Sequence, residues 1–173
     1  MYMEKELRMF GLVPYNISPI QQAIQYGHAV VEYGEMVKHK WSHGSLETLK
    51  LYEDWAKNWK TFIILNGGTT SDDLVEVDDV FIKHGSLNRH LDTLIEMDIP
   101  VAEFREPDLG NQLTAVVLLV SEDVFNIPTN REYMNITPSR YRWTKESAMK
   151  ARIKEYGEKN VELKDFLSQF RLA

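Results

Sequence analysis

Residues 113–120 read Leu-Thr-Ala-Val-Val-Leu-Leu-Val, an apolar, β-forming run broken by a single polar side chain. A run of this kind marks an interior strand covered on both faces. Upstream, Pro100 breaks a helical pattern and Val101 to Phe104 forms a second candidate strand. About eight residues separate the two strands, too few for the crossover that parallel neighbours need, so this pair is expected to be antiparallel. Thr61 to Leu65 reads as a short buried strand stopped by Gly67 and Gly68. Leu7 to Pro14 reads as the first strand, closed by its proline.

Helices lie between these strands. Pro19 suits a first helical position, and Ser18 with Gln21 has capping-box spacing. Ile20, Ile24, His28 and Val31 follow at helical spacing, as do Ala23, Gly27 and Val30, and carry the helix to about Lys38. Ser45 to Asn58 is a second amphipathic pattern, with Leu46, Leu49 and Tyr52 on one face and Trp55 near its end. Ser86 can cap a third through Leu87, Leu91, Leu94 and Ile95. Asp72 to His84 is acidic and fits no single element. The alternation predicts a three-layer α/β domain around a mixed sheet. From Ser121 the character changes. Pro128, Pro138 and several Asn and Thr make a connecting region, followed by helices over Thr144 to Tyr156 and Val161 to Phe170. The expected organisation is an α/β domain over 1–120 and a helical C-terminal extension over 121–173 packed on it.

The chain has 173 residues and no cysteine, which excludes disulfides, thiolate metal sites and a cysteine nucleophile. Apolar runs fall far below the roughly 18 residues of a membrane span, and the N-terminal residues MYMEKELRMF carry charges where a secretion signal is apolar. A cytoplasmic protein with no membrane partner is expected. The net charge is −6, yet Arg131 to Lys154 holds seven basic residues against Glu132 and Glu146. That local patch reads either as a plain solvated surface held against acidic neighbours or as a contact face for RNA or phosphate.

Chemistry concentrates in two places. His28 lies in the first long helix, three residues after Gln25. The second is the segment Arg105 to Thr114, which leaves one strand end and enters the next and contains Glu106, Asp108 and Asn111. Read singly, the histidine is a structural helix residue and the segment a turn. Together, a carboxylate beside an imidazole fixes its tautomer and raises its basicity, so that the pair activates water. Amide groups or Thr114 would steady an oxyanion. No Gly-x-Ser-x-Gly elbow is present, which favours water attack over an acyl-enzyme. His39 and His43 lack a metalloprotease motif. Asn66 to Ser71 reads as a plain turn rather than a phosphate cradle, lacking the lysine of such loops. Asp72, Asp73, Asp78 and Asp79 read as solvated acids, and no metal or other cofactor is expected.

Residues 20–29, Ile-Gln-Gln-Ala-Ile-Gln-Tyr-Gly-His-Ala, resemble the first-helix motif of the bacterial/archaeal-type peptidyl-tRNA hydrolase 2 family, roughly G-K-x-A-A-Q-x-x-H-A, with Gln25, His28 and Ala29 in register. Trp55 before the 61–65 strand, Ile99-Pro100, Phe104 to Asp108, and Leu113 to Leu118 are similar to later elements of that family in order and type. The resemblance covers about residues 7 to 120 and is nearest to a phage group of such proteins. It implies a single α/β domain with a four-stranded mixed sheet, and metal-free hydrolysis of the ester joining a peptide to the 3′ ribose of tRNA, in the cytoplasm of a bacterial host if the chain is phage-encoded. His28, Thr114 and an acid, Asp108 or Glu106, would form the site. Gln21, Gln25, Asn111, Arg140 and Arg142 would be substrate contacts, the two arginines through the basic patch. The family's lysine, seven residues before the histidine, falls on Gln21, which also completes the helix cap with Ser18. That departure leaves a second reading, a catalytically silent binding protein for tRNA, a nucleotide or a host protein. A third is a homodimer in which Phe166, Leu167, Phe170 and Leu172 dock on a second subunit.

Overall fold

The computed structural model describes residues 5–39, 46–70, 74–77, 80–83, 85–137 and 142–173. In chain order the elements are β1 (Leu7–Val13), α1 (Pro19–Lys38), α2 (Leu46–Asp54) continued by a π-helical turn (Trp55–Trp59), β2 (Thr61–Asn66), β3 (Leu74–Val77), β4 (Val80–Lys83), α3 (Ser86–Glu96), β5 (Val101–Glu106) and β6 (Gln112–Ser121). Then follow α4 (Glu122–Phe125), α5 (Asn130–Ile136), α6 (Lys145–Tyr156) and α7 (Glu158–Leu167). The fold is α/β, with a four-stranded mixed sheet in the order β2-β1-β6-β5. β1 and β2 are parallel, whereas β5 and β6 are antiparallel as their short connection requires. The chain forms two compact units, Glu6–Val120 with Arg171–Ala173, and Lys5 with Ser121–Phe170.

In the first unit, period-two alternation along β1 sends Leu7, Met9 and Val13 to a core shared with Tyr26, Ala29, Tyr33 and Val37 of α1 and with Trp55. The opposite face is carried by Leu12 and Leu87, which close on Gly67. Leu91 and Leu94 are buried on the same helix, α3. β6 is buried along nearly its whole length, as an interior strand must be. The tightest contact is at Gly11. A Cβ there would lie 2.2 Å from the Tyr26 ring, whose hydroxyl donates to the Met9 carbonyl at 2.8 Å. Only a glycine lets α1 approach β1 this closely. The α1 N-terminus carries the expected capping box, Ser18 with Gln21, and Pro19 as its first residue.

Several expectations are corrected. Of the two helical rows read in α1, Ile20, Ile24, His28 and Val31 are exposed, and the buried face is Gln25, Tyr26, Ala29, Tyr33 and Val37. Thr61 to Leu65 is a strand as expected but is not buried throughout. β2 is the sheet edge beyond β1, and its Phe62 is 52% exposed. Leu46 and Ile95, placed on apolar faces by spacing, are 68% and 57% exposed. Ser86 is not the helix cap: Gly85 holds that position, and the Ser86 hydroxyl accepts from the Thr69 N–H at 2.8 Å. The ambiguous stretch 72–84 contains the antiparallel pair β3–β4, in register from Leu74 with Lys83 to Val77 with Val80. The outer edge of β2 is closed by the last residues: Asn66 N–H donates to the Arg171 carbonyl and Ala173 N–H to the Ile64 carbonyl, at 2.8 and 3.0 Å.

In the second unit the stretch read as a connection contains α4 and α5. Thr129 and Glu132 form a complete capping box at the start of α5. Tyr133 of α5 donates to Glu155 of α6 at 3.0 Å and packs edge-on against Trp143. Arg152 is fully buried and makes two bonds, 2.7 and 2.9 Å, to Asp165 of α7. It is one of the seven basic residues counted over 131–154, and its burial removes it from that patch. Phe166 and Leu167 are buried, whereas Leu172, which belongs to the first unit, is exposed and bridges Leu65 at the β2 edge. Among the described residues no helix is long and apolar enough to cross a membrane.

Two outcomes follow. Gly11→Ala should cost about 1–3 kcal/mol by overpacking, read as a lower denaturant midpoint at unchanged slope. Burial, with Arg89 nearby as the smaller cause, lowers the pKa of His90 from its ordinary 6.5. The unfolded chain therefore takes up the proton first, and stability should fall as the pH drops from about 6.5 through the lowered value. His90→Gln should flatten that part of the profile.

Candidate functional site

The site grows from a local irregularity. β5 and β6 pair Phe104 with Ala115 and Arg105 with Leu113, so Thr114 is an extra residue with no partner across the ladder. Such a bulge re-aims a side chain. Thr114 is 0% exposed, and its hydroxyl donates to Gln25 Oε1 of α1 at 2.7 Å, with the Phe104 carbonyl at 3.3 Å. A buried hydroxyl needs such a partner. The other end of the same amide, Gln25 Nε2, donates to Glu106 Oε2 at 2.6 Å. One buried glutamine thus clasps a hydroxyl and a carboxylate and fixes its own amide orientation, since only this choice satisfies both.

Glu106 ends β5. Its second oxygen accepts a long bond, 3.4 Å, from the Asp108 N–H in the tight turn Pro107–Leu109. Gly110 and Asn111 then adopt left-handed φ values of 67° and 58°, the conformation that glycine and asparagine tolerate best, and the chain re-enters the sheet. The Asn111 N–H returns to the Glu106 carbonyl at 3.0 Å. The turn reading holds for this segment, and the turn seats Glu106 beside Gln25.

His28 sits one turn along α1 from Gln25. Its ring is exposed and lies over Phe104, with centroids 4.5 Å apart. It has no hydrogen bond or ion pair with Glu106 or Asp108, so the expected carboxylate–imidazole pair is not formed. Asp108 is exposed, outside the clasp, and the acid beside Gln25 is Glu106. Gln21 is exposed and committed to the cap, its Oε1 accepting from the Ser18 N–H at 3.1 Å. Asn111 is exposed on the turn. Arg142 is exposed in the second unit, and Arg140 lies outside the described residues, as do His43, Asp72, Asp73, Asp78 and Asp79. Lys150 is paired with Glu146 at 2.7 Å.

Spacing alone did not single out Phe104, the platform for His28. The signal for the Gln25–Thr114 contact was available: Thr114 is the one polar residue in the aliphatic run 113–120. The 66–70 turn offers no cradle for a phosphate. The Gly67, Gly68, Thr69 and Thr70 N–H groups donate to the Val13 carbonyl, Asn66 Oδ1, Ser86 Oγ and Asn16 Oδ1. Among the described residues no three His, Asp or Glu side chains converge as metal ligands. The clasp therefore offers a carboxylate held by an amide, a second amide hydrogen, and an aromatic shelf carrying an imidazole. No protein-family model matches the chain, and no curated protein is significantly similar to it.

Thr114→Val keeps the shape and leaves Gln25 Oε1 without its donor. It should cost about 1–3 kcal/mol, measured by equilibrium denaturation. Combining it with Gln25→Leu should cost clearly less than the sum of the two single changes, because they share one bond.

Proposed function

We propose that this chain is a hydrolase of the peptidyl-tRNA hydrolase type, cleaving the ester between an acylated amino acid and the 3′ ribose of tRNA. The observation that carries the reading is the Gln25 clasp, which holds a strand-end carboxylate on an otherwise apolar α/β frame. Glu106 is the general base. It takes a proton from water as the oxygen adds to the ester carbonyl carbon, then returns that proton to the departing 3′ oxygen as the tetrahedral intermediate collapses. The free hydrogen of Gln25 Nε2 steadies the oxyanion, and Thr114 holds the amide in place. His28 on Phe104 presents a flat face on which the terminal base of an RNA end stacks. The resemblance of residues 20–29 to the family's first-helix motif is the second support.

One observation favours a different reading. Gln21, which stands where the family has lysine, is spent in the helix cap, and His28 has no carboxylate partner. Under that reading the same surface binds without hydrolysing.

Release of N-acyl-amino acid from N-acyl-aminoacyl-tRNA separates the two. Hydrolysis predicts release by the wild type, a loss of at least about 100-fold in kcat for Glu106→Gln, and mainly a raised KM for His28→Ala. No release from folded wild-type protein that still binds the tRNA establishes the silent reading. Undiminished release by Glu106→Gln removes the carboxylate from the mechanism.

A further inference from the structure

α1 leaves an apolar face in solvent. Ile20, Ile24 and Val31 are 72%, 49% and 63% exposed, and with Gly27 they follow one another at i, i+4, i+7 and i+11, the spacing of a helix-pairing seam. The seam is bordered by Gln21, Ala23 and His28, all exposed and uncharged. Residues 14–31 hold no Asp, Glu, Lys or Arg, although these make up 27% of the chain. A helix face that meets only water carries charge, whereas the centre of a protein interface sheds it.

Gly27 sits in the middle of that face. It lies inside α1, and a Cβ there would meet nothing within 4 Å. Gly11 and Gly34 differ, since the side chains of Tyr26 and Tyr52 fill the space a Cβ would take. Glycine is the poorest helix former after proline, so Gly27 weakens α1 with no packing reason among the described residues. Close approach of a backbone from outside supplies that reason. The seam is also complementary to itself. In an antiparallel pair of α1 helices centred between Ile24 and Gly27, Ile24 of each copy lies over Gly27 of the other, and Ile20 over Val31. The positive N-terminus of each helix, whose first turn holds no acid, then faces the part of the other that carries Glu32 and Glu35. Glu35 keeps its exposed bond to Lys38, at 3.1 Å.

We propose that a second copy of this chain docks on this face, with the two α1 helices antiparallel about a two-fold axis. A two-fold contact needs a surface that matches itself, and the placing of large residues opposite Gly27 along 20–31 provides one. The face lacks the basic side chains that an RNA backbone requires. Gln25 and Gly27, two positions apart, point to nearly opposite sides of the helix, so the clasp stays outside the contact whatever its chemistry.

Sedimentation velocity on the full chain at about 5 to 200 µM should show a reversible monomer–dimer equilibrium. Ile24→Glu should leave the circular dichroism spectrum unchanged and hold the protein monomeric throughout that range, since it places a charge in the seam. Gly27→Gln should raise the Tm of the dilute protein, because glutamine is the better helix former, and weaken dimerisation at least about tenfold. Loss of association in a variant more stable than wild type cannot come from misfolding. The chain has no cysteine, so Ile20→Cys and Val31→Cys each give a single reactive site. A short bis-maleimide should join the two variants in a mixture and neither alone, because like positions stand about 16 Å apart along the helix axis. A monomer at every concentration, a dimer unchanged by Ile24→Glu or Gly27→Gln, or cross-links within single variants overturns the proposal.

Discussion

The approach of Tyr26 to Gly11 is the constraint on which the first unit rests. The ring occupies the space of a missing side chain, and its hydroxyl takes the Met9 carbonyl, so the helix has one depth and one rotation on the sheet. Tyr26 follows Gln25 directly. Once the ring is seated, the neighbouring amide is held over the β5–β6 ladder at the place where that ladder is irregular. Burial forces the tyrosine hydroxyl to titrate well above its usual range, so the contact stays neutral at every ordinary pH. Helix docking and site geometry are thus one event, and the polar clasp inherits its position from an apolar contact.

Much of the frame was legible because it is local. The capping box at Ser18, the apolar run 113–120 and the short connection before it each act within a few residues, and they yielded α1, β6 and an antiparallel neighbour. What escaped is long-range. Thr61 to Leu65 has the composition of a buried strand, and only its place beyond β1 makes it an edge. Arg152 sits in a basic stretch, and its burial follows from Asp165, thirteen residues later. α5 is an exception, since Thr129 and Glu132 announce its start and the nearby prolines obscured that signal.

The candidate site divides in the same way. Its residues were legible as types at suggestive places: Gln25, Glu106 and Thr114 meet through hydrogen bonds, and His28 lies one helical turn from Gln25, over Phe104. Their partners were not legible. The bulge at Thr114 turns that hydroxyl toward α1 and brings Glu106, rather than Asp108, to the glutamine. An exposed histidine over Phe104 and a part-buried amide–carboxylate contact are separate environments, and a motif read along the chain treats them as one group.

The closing of the β2 edge by Arg171–Ala173 bears on how the chain can be divided and made. The first unit is assembled from two separated stretches, with Ser121–Phe170 of the helical unit between them in sequence. No single cut releases it whole, and a fragment ending at Val120 carries a bare strand edge exposed to pairing with other chains. On the ribosome the sheet can form early, but its last backbone pairs wait until some fifty further residues have been made. The helical unit thus has a full synthesis interval in which to fold while that edge stands open.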